Sequence, residues 1–179
     1  MAVPTPDETI LGLLAYQAQH GYQLLDTFQN PTQLGAVWHM STSQIYAVLK
    51  RLEQQGWIQG QSVDVDDAPP RIEYRLSAPG QQRLDQWLND PQPSASIRRV
   101  RVEFLSRLYI AHLLKHPAQA LIARQRAACE VEHARLMTQR EQSDSSIGGL
   151  ALELHIAQIE AILQWINRCE TRVYPPTHA

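Results

Sequence analysis

Ser41-Thr42-Ser43-Gln44-Ile45-Tyr46-Ala47-Val48-Leu49-Lys50-Arg51-Leu52-Glu53-Gln54-Gln55-Gly56 is the stretch that decides the fold. Ser41 and Gln44 stand three apart, as a capping box requires. The serine hydroxyl accepts from the Gln44 backbone N–H, and the Gln44 side chain reaches back to the Ser41 N–H. Ile45, Val48, Leu49 and Leu52 then fall at i, i+3, i+4 and i+7, which is one buried stripe of a helix. Gly56 follows where a left-handed C-terminal stop belongs. Stepping about 100° per residue from that stripe leaves Ser43, Tyr46, Ala47, Lys50 and Gln54 pointing outward. Short polar groups, a methyl and one cation on an outward face suit base edges and phosphates. A solvated face would read the same way from periodicity alone.

Upstream lie two shorter helices. Ile10, Leu11, Leu13 and Leu14 mark a buried one ending near Gln19, with Gly21 as its stop. Leu24, Leu25 and Phe28 give one face of a second, ended by Asn30-Pro31; Gly35 and Trp38 follow in a loop. Downstream, Trp57–Val63 and Arg71–Leu76 are predicted strands, the latter with Ile72, Tyr74 and Leu76 on one face and Arg71, Glu73 and Arg75 on the other. Residues 64–70 join them as a loop. Ser77-Ala78-Pro79 opens a helix, serine as cap and proline in the first turn, running to about Asn89. Three helices, the third capped, followed by a hairpin describe a winged helix-turn-helix.

The second half is expected to be all helix. Asp90-Pro91-Gln92-Pro93-Ser94 reads as a linker. The division expected is residues 1–90 as a DNA-binding domain, 91–96 as linker and 97–175 as a helical dimerisation domain. Helices are predicted over Ile97–Lys115, broken by His116-Pro117, and over Ala118–Arg140. Gly148-Gly149 is read as a reversal before a last helix. In that helix Leu152, Ile156, Ile159, Leu163 and Ile166 step by 4, 3, 4 and 3, a heptad-like seam flanked by Ile162 and Trp165. A bundle inside one chain would use the same spacing. Dimerisation is favoured here, because one helix-turn-helix reads few base pairs and a two-fold dimer doubles the site.

Composition narrows the class. The 179 residues are 44% hydrophobic and 19% charged, enough apolar content for a core. The longest apolar run, Ile10–Tyr16, is far shorter than the roughly 20 residues of a membrane helix. No basic segment leads into a long apolar stretch near the N-terminus. Cys129 and Cys169 form neither a disulfide framework nor a zinc spacing. A reduced, cytoplasmic setting is the expectation. Residues 1–90 hold five Lys/Arg against ten Asp/Glu, net −5, and the remainder is +3. Charge alone would therefore not assign the first half to nucleic acid. No HExxH, CxxC, GxSxG or GxxxxGK[ST] string occurs. His112 and His116, four apart, suit helix-end solvation better than a metal. No catalytic residue, metal ligand or cofactor is assigned.

The string His20-Gly21-Tyr22-x-Leu24, then Ser43-x-Ile45-Tyr46-x-x-Leu49-x-Arg51-Leu52-Glu53-x-x-Gly56-x-Ile58, then Pro70-Arg71-x-x-Tyr74-x-Leu76-Ser77-x-x-Gly80 resembles the PadR family of bacterial transcriptional regulators. The likeness covers about residues 9–89. Arg101-Val102-Glu103-Phe104-x-x-Arg107-Leu108 resembles the opening of the long helical dimerisation domain in the branch typified by the virulence activator AphA. The resemblance implies a homodimeric regulator of double-stranded DNA, mainly α with a two-stranded β wing. The DNA contacts it implies are Tyr22, Thr42, Ser43, Gln44, Tyr46, Ala47, Lys50 and Arg71. Phe104, Leu108, Leu152, Ile156, Ile159, Leu163 and Ile166 are the expected dimerisation residues. Asp64, Asp66 and Asp67 depart from the basic wing usual in the family. An alternative is a ligand-gated regulator sensing a flat aromatic small molecule at the dimer interface, with Trp38, Trp57, Trp87 and Trp165 as candidates to line the space. A helical adaptor without DNA binding is a third reading.

Overall fold

The computed structural model of the chain describes residues 4–65, 68–142 and 146–173. It divides into two compact units. The first contains residues up to 90 together with 105–116, and the second contains 91–104 and the residues from 117 onward.

The first unit opens with α1 (Asp7–Tyr16). Ile10, Leu11, Leu13 and Leu14 are all nearly inaccessible, so this helix is buried on most of its circumference. It ends earlier than the predicted Gln19. A two-residue strand β1 (Gln19–His20) intervenes, and Gly21 opens α2 (Gly21–Gln29) instead of stopping α1. The chain turns extended at Gln17 (φ −162°, ψ 154°), whose N–H makes the last helical bond to the Leu13 carbonyl at 3.3 Å; the Gln19 side chain donates to the same oxygen at 3.2 Å. Leu24, Leu25 and Phe28 are the buried face of α2. A 3-10 turn at Leu34–Ala36 leads to Trp38, whose indole N–H donates to Ser106 Oγ at 2.9 Å and whose ring meets Phe28 edge-on.

The helix α3 (Thr42–Gln54) forms as expected. Gln44 N–H donates to Ser41 Oγ and Ser41 N–H donates to Gln44 Oε1, closing the capping box. Ile45, Val48, Leu49 and Leu52 are buried. Gly56 adopts a φ of 72°, the left-handed stop for which glycine is best suited.

The wing is longer than predicted. Strands β2 (Ile58–Val65) and β3 (Ala68–Leu76) replace the shorter strands and take in much of the expected loop. Val63 pairs with Arg71 and Val65 with Ala68, so Pro69 and Pro70 together face one residue of β2. That irregularity is a bulge, where proline's missing N–H is tolerated. Antiparallel pairing gives the order β1-β3-β2. Asp66 and Asp67 lie outside the described residues. The helix α4 (Ala78–Leu88) is capped by Ser77, whose Oγ accepts from Gly80 N–H and donates to the Gly56 carbonyl. One hydroxyl thus joins the exit of α3 to the entry of α4.

The predicted fifth helix contains a short turn α5 (Ile97–Arg99), a wider π-type turn at Val100–Phe104 and α6 (Leu105–Leu113). The segment α6 packs on α1 in the first unit. Buried Arg107 lies over the Trp87 ring and pairs with Asp90 at 3.0 Å. In the second unit α7 (Gln119–Glu141) and α8 (Ile147–Val173) form a hairpin. Gly148 and Gly149 fall in the first turn of α8, so the reversal precedes them.

Gly80 is a point where the wing and α4 leave no space. A Cβ there would stand 2.0 Å from the Trp57 carbonyl oxygen and 2.7 Å from Leu76 Cδ1. The backbone oxygen cannot rotate aside, so Gly80→Ala should destabilise the protein by about 1–3 kcal/mol, read as a lower urea midpoint at unchanged slope.

Candidate nucleic-acid interface

The outward face of α3 carries Thr42, Ser43, Gln44, Tyr46, Ala47 and Lys50, all exposed. The buried stripe fixes this, since a helix that hides Ile45, Val48, Leu49 and Leu52 must present the opposite side. Two of the six have local duties as well. Gln44 Oε1 closes the cap, and Ser43 Oγ lies 3.0 Å from Ser41 Oγ.

Tyr22, Tyr46 and Arg71 come together. They line a cleft of about 660 Å³ with His20, Gly21, Gln23, Ile72 and Tyr74, where the start of α2, α3 and the wing strand β3 meet. Tyr22 is 66% exposed, so it is not a core aromatic. Tyr74 is buried at the back. Burial, with Glu53 and Tyr46 nearby, pushes its hydroxyl above the usual tyrosine range, so it stays neutral. His20 holds the junction: its N–H donates to Gln23 Oε1 at 2.9 Å and its Nδ1–H donates to the Ile72 carbonyl at 3.1 Å. Glu53 accepts from Gly60 N–H at 2.9 Å, tying the end of α3 to β2. His20, Gly21, Glu53 and Tyr74 take part here without being among the expected DNA contacts. The family-like string includes all four of these residues, but their contacts cross between elements and have no local spacing signal.

The charges sort themselves by position. Of the five cations in residues 1–90, Arg51 pairs with Asp7, Arg83 with Glu8 and Arg75 with Glu73. Lys50 and Arg71 have no ion-pair partner among the described residues. Each pair removes one acid and one cation, so the half stays at net −5; among the described residues Lys50 and Arg71 are the cations left over, and they are candidate DNA contacts.

The expected dimerisation residues are mostly buried within the chain. Phe104 packs edge-on against Trp165, with ring centroids 5.9 Å apart, and Leu108 is buried in the first unit. Ile156, Ile159 and Ile166 are buried and Leu152 and Leu163 partly so, in the unit that the α7–α8 hairpin builds. The four tryptophans are likewise engaged: Trp38 with Ser106 and Phe28, Trp57 under Arg83, Trp87 under Arg107, and Trp165 with Phe104.

Gly21 sets how closely Tyr46 approaches α2. A Cβ at Gly21 would lie 2.8 Å from Tyr46 Cε1 and 3.0 Å from its Cζ. The ring can swing away, so Gly21→Ala should change stability by less than about 1 kcal/mol while shifting the Tyr46 ring resonances in an NMR spectrum. Unmoved resonances would place the ring elsewhere.

Residues 10–86 match the model of the Transcriptional regulator PadR-like family. The probable transcriptional regulator Rv1176c of Mycobacterium tuberculosis is 31% identical over 91 residues, which cover 51% of this chain and 46% of that protein. The negative transcriptional regulator PadR of Bacillus subtilis is 32% identical over 105 residues, 59% of this chain and 56% of that protein. The chain thus spans about half the length of these curated relatives. The crystal structure of Bacillus subtilis PadR in complex with operator DNA is similar at 25% identity and a TM-score of 0.47, over 93% of this chain and 98% of that one. The same protein in complex with p-coumaric acid gives 25% and 0.44, over 94% and 98%. From α1 through most of α4, residues 10–86 of this chain are thus similar to the Transcriptional regulator PadR-like family.

Proposed function

We propose that this protein is a sequence-specific DNA-binding transcriptional regulator that acts as a homodimer. The observation that carries this reading is the placement of Lys50 and Arg71, the two cations of residues 1–90 without an ion-pair partner among the described residues. Lys50 lies one turn after Tyr46 on the outward face of α3, and Tyr46 shares its cleft with Arg71 and Tyr22. Cations already held in ion pairs release few counterions on meeting DNA, whereas unmatched ones contribute fully. Ser43, Tyr46, Ala47 and Lys50 would then meet base edges, with Thr42 and Gln44 beside them at the helix start. Tyr22 and Arg71 would meet the backbone. The curated relatives are named as transcriptional regulators, and a Bacillus subtilis relative has been crystallised with operator DNA.

The homodimer is proposed through the second unit. The heptad-like residues of α8 serve the chain's own packing, and beside them Ile147, Leu150 and Leu154 recur at i, i+3 and i+7 with exposures of 83%, 60% and 60%. Large apolar side chains left in water along one helix stripe mark an association surface. The finer assignment to the branch typified by AphA belongs to this proposal; the two long helices of 23 and 27 residues support it. A cytoplasmic setting accords with the finding that no helix among the described residues is long and apolar enough to cross a membrane. The aromatic-effector reading gains nothing from the tryptophans, each of which has a partner within its own unit.

Two outcomes follow. Lys50→Ala, at an exposed position, should leave the thermal midpoint unchanged and lower the slope of log affinity against log salt by about one unit. A wild-type slope would remove Lys50 from the interface. Leu150→Glu with Leu154→Glu should yield a folded monomer in sedimentation and a steep loss of affinity for a two-fold site. A variant that still sediments as a dimer would place the contact elsewhere.

A further inference from the structure

We infer that His20 is a positioning residue that holds Arg71 at the cleft by tethering the carbonyl of Ile72. The inference rests on the DNA reading proposed above and goes beyond it, because His20 acts through the wing and not by touching DNA.

The backbone ladder from β1 to β3 ends early. Gln19 pairs with Tyr74 and His20 with Glu73, and there β1 stops. Residues Ile72 and Arg71, further toward the wing tip, gain their backbone pairing from β2, opposite Ser62 and Val63. The pairing beyond Val63 is irregular. Arg71 therefore sits where the sheet has narrowed and next to its bulge. The His20 ring compensates. Its Nδ1–H donates to the Ile72 carbonyl at 3.1 Å, which adds a tie at the Ile72–Glu73 peptide group, one residue from Arg71. The ring's own base is fixed, since the His20 N–H is bound to Gln23 Oε1.

Arg71 needs such a tie. No ion pair among the described residues anchors its guanidinium, and the backbone tie helps to set where it stands. A cation contributes to DNA affinity when it is held where a phosphate passes; one on a loose strand loses part of that gain in ordering. The next residue, Gly21, carries the Tyr46 ring of α3 against it. Two consecutive residues thus connect the wing and the DNA-facing helix to one short segment.

The test uses the full chain and a short mixed-sequence duplex, with fluorescence anisotropy over a salt series. His20→Phe keeps a flat ring and removes the donor; His20→Asn keeps a donor near the same place. His20→Phe should lower the salt slope by about one unit, as Arg71→Ala does, and the double variant should fall no further than Arg71→Ala alone. His20→Asn should recover most of the affinity, an outcome that a general loss of folding would not give. In the DNA-free protein, ¹⁵N relaxation should show the Arg71 amide more mobile in His20→Phe than in wild type or His20→Asn. Losses that multiply in the double variant, or a wild-type slope in His20→Phe, would overturn the inference. Unchanged Arg71 relaxation would overturn the tether itself, whatever the DNA result. A silent Arg71→Ala would instead overturn the assignment of Arg71 to DNA, and the role of His20 with it.

Discussion

Burial of Ile45, Val48, Leu49 and Leu52 is the constraint on which the rest depends. Each such side chain contributes about 1.5–3 kcal/mol when taken from water, so the stripe settles the rotation of α3 without further help. The outward face follows as a geometric remainder. The capping box then sets where the helix begins, and Gly56 sets where it ends. Ser77 carries the frame onward by bonding the Gly56 carbonyl and capping α4. The surface that would meet DNA is thus specified chiefly by groups that never reach it.

Electrostatics divides the same unit by position. Asp7, Glu8 and Glu73 hold Arg51, Arg83 and Arg75. With each arginine largely exposed, pairs of this kind add only modestly to stability. Among the described residues they leave Lys50 and Arg71 as the cations of residues 1–90 without an acidic partner. The half stays at net −5, since each pair removes one acid and one cation, but the cations left over stand on α3 and on the wing strand. Net charge by sequence segment cannot show this, because pairing depends on contacts such as Arg51 with Asp7, 44 positions apart.

Much of this fold is legible in the residues. The cap, the stripe, the glycine stop and the Ser77-Ala78-Pro79 entry each have a local physical signal, and each appears in place. The strand β1 has two residues and no periodicity to find. The wing outran its predicted length because a bulge lets Pro69-Pro70 remain in β3, and proline in a strand reads as a break. The seam of α8 is visible as a 4-3-4-3 spacing, but spacing does not say which helix covers it; in the chain α7 does. The candidate site was half legible. Outward residues of α3 follow from one helix, whereas the cleft of Tyr22, Tyr46 and Arg71 needs three elements to meet. The bond from His20 to Ile72 spans 52 positions and has no local signature.

The central claim is that one face, built from the start of α2, the outward side of α3 and the wing strand, is the surface that binds DNA. Amide hydrogen exchange of the full chain, with and without a short mixed-sequence duplex at low salt, tests it directly. The account predicts protection at residues 20–23, 42–51 and 71–74, with little change along the outer face of α7. Protection that spares α3 and the wing, and falls instead on the second unit alone, would contradict it.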